Sequence, residues 1–357
     1  MEERVHTKDF VNDWISCGTI FSTDSEKVII AWGKRKWFSN ISESHPCFYF
    51  PDFFLKDATP WFTNENYCVL TITQLVDLLS AVPDSIPQKP EWHNSHRSFF
   101  NKAFTNLQKK ISSGELKKAV PFVTETAETT MDTPRLVKSL KSILEYIQKN
   151  PAFVYGFWDE KEGMLGATPE TLFRCTGDGL LDTMACAGTK KLSEDNSSLL
   201  SDPKELYEHD LVVQGIVQSL SPYGKVTKGN LQLLKLTQLM HLVTPLSLEL
   251  QNQIPFQDLV NALHPTPALG AFPKENGMHW LQEYQQHITR SRFGAPAGYF
   301  LPETKHSNCY VAIRNIQWNH KHMHISAGCG VVADSHCHRE WDEINLKLNA
   351  IKKMLDL

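Results

Sequence analysis

Cysteine pairs, long apolar runs and an excess of charge are all missing from this 357-residue chain. Its eight cysteines are scattered singly with no C-x-x-C spacing. That excludes a disulfide framework or a thiolate metal knuckle and reads as the ordinary thiols of a cytoplasmic protein. No apolar stretch approaches the roughly 18 residues of a membrane span. The opening segment, MEERVHTKDF, is charged throughout and carries no signal-peptide core. A formal charge of −4 removes the electrostatic case for nucleic acid. No Gly-rich phosphate loop, no G-x-S-x-G elbow and no repeat of 20–50 residues is found. What is present, 41% hydrophobic and 21% charged residues, is the balance of a globular chain with a substantial core.

Residues 1–80 hold aromatic and β-branched runs (KVIIAWG, PCFYFPDFF, YCVLTITQLV), which predict strands with a short helix. The Pro-marked stretch from Val82 to Trp92 reads as a linker. Phe99, Phe100, Ala103, Phe104, Leu107 and Ile111 recur at helical spacing and read as core packing. LKKAVPFVTET predicts a strand starting near Lys118, and DTPRLVKSL a helix with Thr133 as N-cap and Pro134 in first position. A hairpin is expected to turn between Glu160 and Gly163. Further helices are expected around 203–220, 255–263, 276–289 and 338–356, and strands around 180–187, 230–238, 297–301, 308–317 and 321–328. Strands and helices come in blocks rather than in β-α-β alternation, which predicts antiparallel-rich sheets covered by helices.

Two helical stretches carry acidic pairs three residues apart: Glu205 and Glu208 in SDPKELYEHD, and Glu340 and Glu343 in HREWDEINLK. Such spacing puts both carboxylates on one helix face, near the N-terminus, where negative charge is favoured. Taken alone, each pair is weak evidence, since such a pair is more often only a solvated face. Convergence would need a cation or protons, because two like charges 4 Å apart repel by about 4 kcal/mol at an effective dielectric of 20. Oxygen-only donors favour Mg²⁺. Glu170, in GATPETLFRC, is either a turn residue in water or a partly buried acid, and Lys118 either a strand-edge lysine or a base. Arg314 interrupts the apolar strand YVAIRNI, a setting that calls for an anion or a carboxylate partner. RFGAPAGYF and CAGTK offer backbone N–H groups to a carboxylate. His320, His322 and His324 alternate beside His336 and His338; exposed alternation on a hairpin is a simpler account than zinc.

The order of these segments is itself informative. GATPETL, CAGT, SDPKELYEH, QLMHLVTPL, LHPTPALGAFP, RFGAPAGYF, YVAIRNI, AGCGVVADS and REWDEINLKL follow the Lys118 strand. Together they resemble the chorismate-utilising enzymes: isochorismate and salicylate synthases and the large subunits of anthranilate and aminodeoxychorismate synthases. The resemblance covers roughly residues 95–357. It implies an α+β (α/β) fold, with antiparallel-rich sheets packed as a sandwich and helices outside, forming one compact domain. Residues 1–90 would be its strand-rich N-terminal portion and 91–357 its catalytic portion. It further implies that Glu208 and Glu343 hold Mg²⁺, with Glu205 and Glu340 as acidic partners. Lys118 would be the general base and Glu170 the general acid. Arg314 and the backbone around Gly298 would bind the enolpyruvyl carboxylate, and Gly188, Thr189, His241, His264 and Gly328 would line the substrate.

Lys118 in place of glutamine, and Ala187 in place of a nucleophilic lysine, disfavour the two amine branches. Ala268, Leu269, Phe293 and Ile313 resemble the isochorismate synthase version rather than the salicylate synthase one. The implied protein is a cytoplasmic, Mg²⁺-dependent isochorismate synthase acting on chorismate for menaquinone or siderophore biosynthesis. It would be a monomer without a glutamine amidotransferase partner. Salicylate synthase and a non-catalytic chorismate-binding relative are the alternatives. AVPFV, with Pro121, and MACAGT depart from the family's usual wording. Proline inside a strand removes a sheet hydrogen bond, so the setting of Lys118 is where a difference is expected.

Overall fold

The structure, a computed structural model, describes residues 8–42, 44–83, 87–93, 96–192, 197–250 and 254–357. Among them, sixteen strands form one continuous antiparallel hydrogen-bonded sheet and eight α-helices pack against it. From one edge the strands run Val226–Lys228, Leu239–Glu249, Leu180–Lys191, Thr171–Cys175, His306–Val311, Pro296–Leu301, Cys47–Tyr49 and Trp61–Thr71. They continue through Lys27–Phe38, Gly18–Ser22, Phe153–Trp158, Glu162–Thr168, Asn315–Asn319, Met323–Gly328 and Phe122–Ala127. Gln232–Lys235 pairs beside the first of these on Leu239–Glu249.

The eight strands from His306–Val311 to Glu162–Thr168 curl back on themselves. Phe153 and Tyr310, near opposite ends of that run, stack with ring centroids 5.1 Å apart. Phe21 lies 5.6 Å from Tyr299, and Phe50 4.7 Å from Phe157. These rings belong to a second core enclosed by the curl, whereas the larger core lies between the sheet and its helices. The Tyr310 hydroxyl donates to Ser22 O at 2.8 Å and the Tyr155 hydroxyl to Ile313 O at 2.8 Å, so both buried polar tips are satisfied across the curl. The sandwich expected from the sequence is thus built from one folded-back sheet.

Several elements depart from expectation. A helix, Lys8–Ser16, precedes the strands and buries Phe10, Val11, Trp14 and Ile15. The N-cap of Thr133–Lys149 is Asp132, not Thr133; its carboxylate accepts from Arg135 N at 2.9 Å. The strand expected at 230–238 is the short Gln232–Lys235, and the long one follows at Leu239–Glu249, across Pro245. That proline faces the interval between Val226–Lys228 and Gln232–Lys235, and its carbonyl accepts from Gly229 N at 2.8 Å. The Lys118 strand is split by Pro121: Lys118–Ala119 pairs with Ala271–Phe272, and Phe122–Ala127 with Met323–Gly328. Of the linker Val82–Trp92, residues 84–86 lie outside the described residues, as do residues 1–7 of the opening segment. No described helix is long and apolar enough to cross a membrane.

Candidate functional site

Both acidic pairs stand near helix starts, the first of them on a capped helix. Asp202 accepts from Lys204 N at 3.1 Å and Glu205 N at 3.3 Å, and Pro203 opens the helix Pro203–Leu220. Glu340 and Glu343 follow His336 on Cys337–Met354. The two helix starts meet, and a lysine stands between them. Lys204 Nζ lies 3.0 Å from Glu205 Oε1, 3.1 Å from Glu208 Oε2 and 3.1 Å from Glu340 Oε1. Glu208 Oε1 is also 3.1 Å from Lys118 Nζ, and Glu343 Oε1 is 2.8 Å from Lys347 Nζ.

Burial sets the protonation of this cluster. It raises Glu205 to about 7, helped by Glu208 and opposed by Lys204. It raises Glu340 to about 7 as well, helped by Glu343. Burial pushes Glu208 up too, but the ammonium groups of Lys118 and Lys204 outweigh it and hold that carboxyl at about 2. Lys204 is held well above the usual lysine range, because its carboxylates outweigh its desolvation.

The donor set suits a hard divalent ion: every donor is a carboxylate oxygen, and Glu340 Oε2 is buried without a hydrogen-bond partner. Among the described residues no group of three or more His, Cys, Asp or Glu side chains stands preformed around a metal position. The convergence point is held by the Lys204 ammonium. The same holds for the histidines near 320–324, which flank a turn between two strands and form no metal cluster.

Beside the glutamates lies a partly open cavity. Its walls include Glu170, Gly188, Thr189, Glu208, His241, Ala268, Leu269, Phe293, Ile313, Arg314 and Gly328, all singled out from the sequence. Gly188, at φ 77°, makes the bulge between Ala187 and Thr189 that turns Thr189 N onto Glu205 Oε2 at 2.9 Å. Arg314 ends the apolar strand by adopting φ 55°, which divides the single strand expected at 308–317 into His306–Val311 and Asn315–Asn319. Its Nη2 lies 2.5 Å from His241 Nε2, and His241 Nδ1 is 3.0 Å from Thr189 Oγ1. A guanidinium has only donors, so His241 Nε2 accepts and Nδ1 carries the proton to Thr189. Burial and Arg314 drive the His241 pKa well down, which keeps that ring neutral.

Glu170 is buried in the cavity wall, and desolvation raises its pKa to about 7 against the pull of Lys118, Lys347 and Arg314. Lys118 stands behind the lining residues Glu208 and Gly330: a Cβ on Gly330 would sit 1.8 Å from Glu208 Oε1 and 2.7 Å from Lys118 Cε. Glu205, Glu340 and Glu343 line an adjoining outer cavity, which shares Thr189 with the first.

Two expected lining residues stand elsewhere. His264 Nε2 bonds to Phe53 O at 2.7 Å and its ring packs edge-on against Phe53, so it braces the scaffold. Gly298 is paired in the sheet, where a Cβ would meet Asn308 O at 2.8 Å, so its role is close packing. Lys204 and Lys347 were not singled out, although each lies four residues from a glutamate of its own helix, at Glu208 and Glu343. Lys347 lines the cavity and donates to Gly328 O at 2.8 Å.

The profile of the family described as "Chorismate binding enzyme" matches residues 65–356. The isochorismate synthase MenF of Bacillus subtilis is 30% identical over 229 residues, 61% of this chain and 48% of that protein. The salicylate biosynthesis isochorismate synthase of Pseudomonas aeruginosa is 32% identical over 200 residues, 54% of this chain and 41% of that protein. The chain thus aligns with about half the length of these relatives. Among solved structures, DhbC of Bacillus anthracis superposes with a TM-score of 0.79 at 22% identity, covering 98% of this chain and 99% of that one. The menaquinone-specific isochorismate synthase MenF of Escherichia coli gives 0.77 at 18% identity, covering 95% and 88%. At those identities the superpositions speak for the fold. With the profile spanning most of the sequence, the chain belongs to the chorismate-binding enzyme family.

Proposed function

We propose that this chain is an isochorismate synthase, a Mg²⁺-dependent enzyme that adds water at C2 of chorismate while the C4 hydroxyl departs. The observation that carries the reading is one cavity lined by both Glu170 and Glu208, with Lys118 paired to Glu208 at 3.1 Å. A pKa near 7 leaves Glu170 substantially protonated at neutral pH, ready to give its proton to a departing hydroxide. Lys118, once its ammonium has given up a proton, takes the proton from the attacking water, both ring double bonds migrate, and the C4–O bond breaks with the Glu170 proton attached. Arg314, oriented by neutral His241, offers guanidinium donors to the enolpyruvyl carboxylate. Glu205, Glu208, Glu340 and Glu343 would hold the magnesium ion, whose charge, when bound, stabilises the ring carboxylate of the substrate. Menaquinone or siderophore biosynthesis is the proposed setting, chorismate the partner, and a soluble monomer the working form.

Incubation of the full chain with chorismate, with and without Mg²⁺, followed by chromatography and mass measurement, tests the reading. Isochorismate without pyruvate, formed only with Mg²⁺ and lost in Lys118→Ala, is expected. Salicylate with stoichiometric pyruvate would move the assignment to salicylate synthase. Binding of chorismate without turnover would identify a non-catalytic relative.

A further inference from the structure

Lys204 is the second residue of its helix, so its backbone is fixed by the Asp202 cap and its side chain is only 17% exposed. Its ammonium touches three carboxylates from two helices, all at 3.0–3.1 Å. Oxygens that all face one nitrogen can close to the roughly 2.0–2.1 Å that magnesium demands only by closing on the point the nitrogen holds. The charge count points the same way. With all four glutamates ionised, they face the ammonium groups of Lys118, Lys204 and Lys347, which leaves one negative charge over. Exchange of Lys204 for a divalent ion leaves none, whereas keeping both would leave an excess positive charge in a buried site. The ammonium also has somewhere to go. The outer cavity beside it is lined by Asp334 and Asp342, both exposed, where an ammonium regains water and acidic neighbours.

We propose that Lys204 is a built-in counter-ion competing with the divalent cation for the same carboxylates, so that ion loading expels its ammonium toward Asp334 and Asp342. This rests on the reading of the glutamate cluster as the ion site. Lys204 then acts as a positioning residue: it holds the two helix starts together before the ion arrives and sets how much free Mg²⁺ is needed to load the site.

The test is calorimetric titration of the full chain with MgCl₂, without chorismate, beside melting curves in EDTA and in Mg²⁺. Lys204→Met, which keeps the stem and removes the charge, is expected to bind Mg²⁺ at least about tenfold more tightly than wild type. Its melting temperature is expected to fall in EDTA and recover with Mg²⁺ by more than the wild type's does. Lys204→Arg, which keeps the charge and adds donors, is expected to bind Mg²⁺ more weakly. Lys190→Met removes a neighbouring ammonium paired with Asp202 and is expected to leave affinity within about twofold. Unchanged or weaker binding in Lys204→Met overturns the proposal, as does equal tightening in Lys190→Met, which would reveal a general field. Should Lys204→Met fail to fold in either medium, wild-type affinity in Lys204→Arg overturns it instead. The doubly substituted Glu208→Gln, Glu340→Gln chain separates the two levels. Binding retained there refutes the glutamate ion site itself; binding lost there, with no effect of Lys204, refutes only the competition.

Discussion

Gly330→Ala is the sharpest single perturbation of the site. Gly330 is not among the positive-φ glycines, so alanine suits its backbone, and the whole effect comes from one methyl group. That carbon would lie 1.8 Å from Glu208 Oε1, 2.5 Å from Glu208 Cδ and 2.7 Å from Lys118 Cε. Restoring an ordinary contact of about 3.5 Å moves the carboxylate oxygen by roughly 1.7 Å. If the oxygen retreats from Lys118, their 3.1 Å separation grows to about 4.8 Å. At an effective dielectric of 20 the attraction then falls from about 5 to about 3.5 kcal/mol. At about 2.1 cal/mol/K of unfolding entropy per residue, a loss of that size lowers the melting temperature by about 2–3 °C. Turnover should suffer more, because a displacement of this order at a reacting group costs about 100-fold. Purified wild type and variant are compared by melting curve and by chorismate consumption under saturating Mg²⁺. A variant with kcat/KM within twofold of wild type would refute the claim that this spacing sets catalysis. A collapse in melting temperature of 10 °C or more would refute the claim that the strain stays in two side chains.

Glu170→Gln should lower chorismate turnover by about 10²–10⁴-fold. In the wild type kcat/KM should fall as pH rises through about 7, where Glu170 loses its proton. The stability effect has a definite sign: a folded pKa raised above the unfolded value of about 4.3 stabilises below that value, and the gain is lost as pH climbs through 7. Glu170→Gln should therefore gain in urea midpoint relative to wild type between pH 5 and pH 8, and an unchanged difference would count against a buried, proton-holding carboxyl. Arg314→Ala should raise KM for chorismate by about 10–100-fold, the worth of a hydrogen bond to a charged group. Because alanine is strained at φ 55° and glycine is not, Arg314→Gly should melt no lower than Arg314→Ala. Phe21→Ala, which empties the middle of the aromatic core, should cost about 3–5 kcal/mol, read as a lower urea midpoint at constant slope.

Much of the site was legible because its residues sit where local rules are strong. The i,i+3 spacing placed Glu205 with Glu208 and Glu340 with Glu343 on single helix faces near the helix starts, and the structure brings those starts together. Arg314 stood out because a guanidinium does not belong in an apolar run, though its left-handed backbone, which splits the strand, leaves no mark in composition. Pro121 was read as a disturbance of one strand; it marks the boundary between two, and its carbonyl accepts from Cys329 N at 3.2 Å. The Leu239–Glu249 strand was obscured by Pro245, which is harmless there only because the neighbouring strands part opposite it. Lys204 escaped notice for a different reason. A lysine at a helix start reads as a solvated residue, and only the arrival of Glu340 from a helix more than 130 residues away makes it a buried ion-pair centre.

The place of the first strands in the sheet bears on how the protein can be dissected. Cys47–Tyr49 hydrogen-bonds to Pro296–Leu301, and Gly18–Ser22 to Phe153–Trp158, so the earliest strands bridge segments that come much later in the chain. A fragment starting after residue 80 would leave both those later strands with bare edges, and edges of that kind recruit foreign strands. Trimming from the front should therefore yield aggregates rather than a minimal catalyst. The early strands supplied separately as a second polypeptide are the route by which such a fragment could regain solubility.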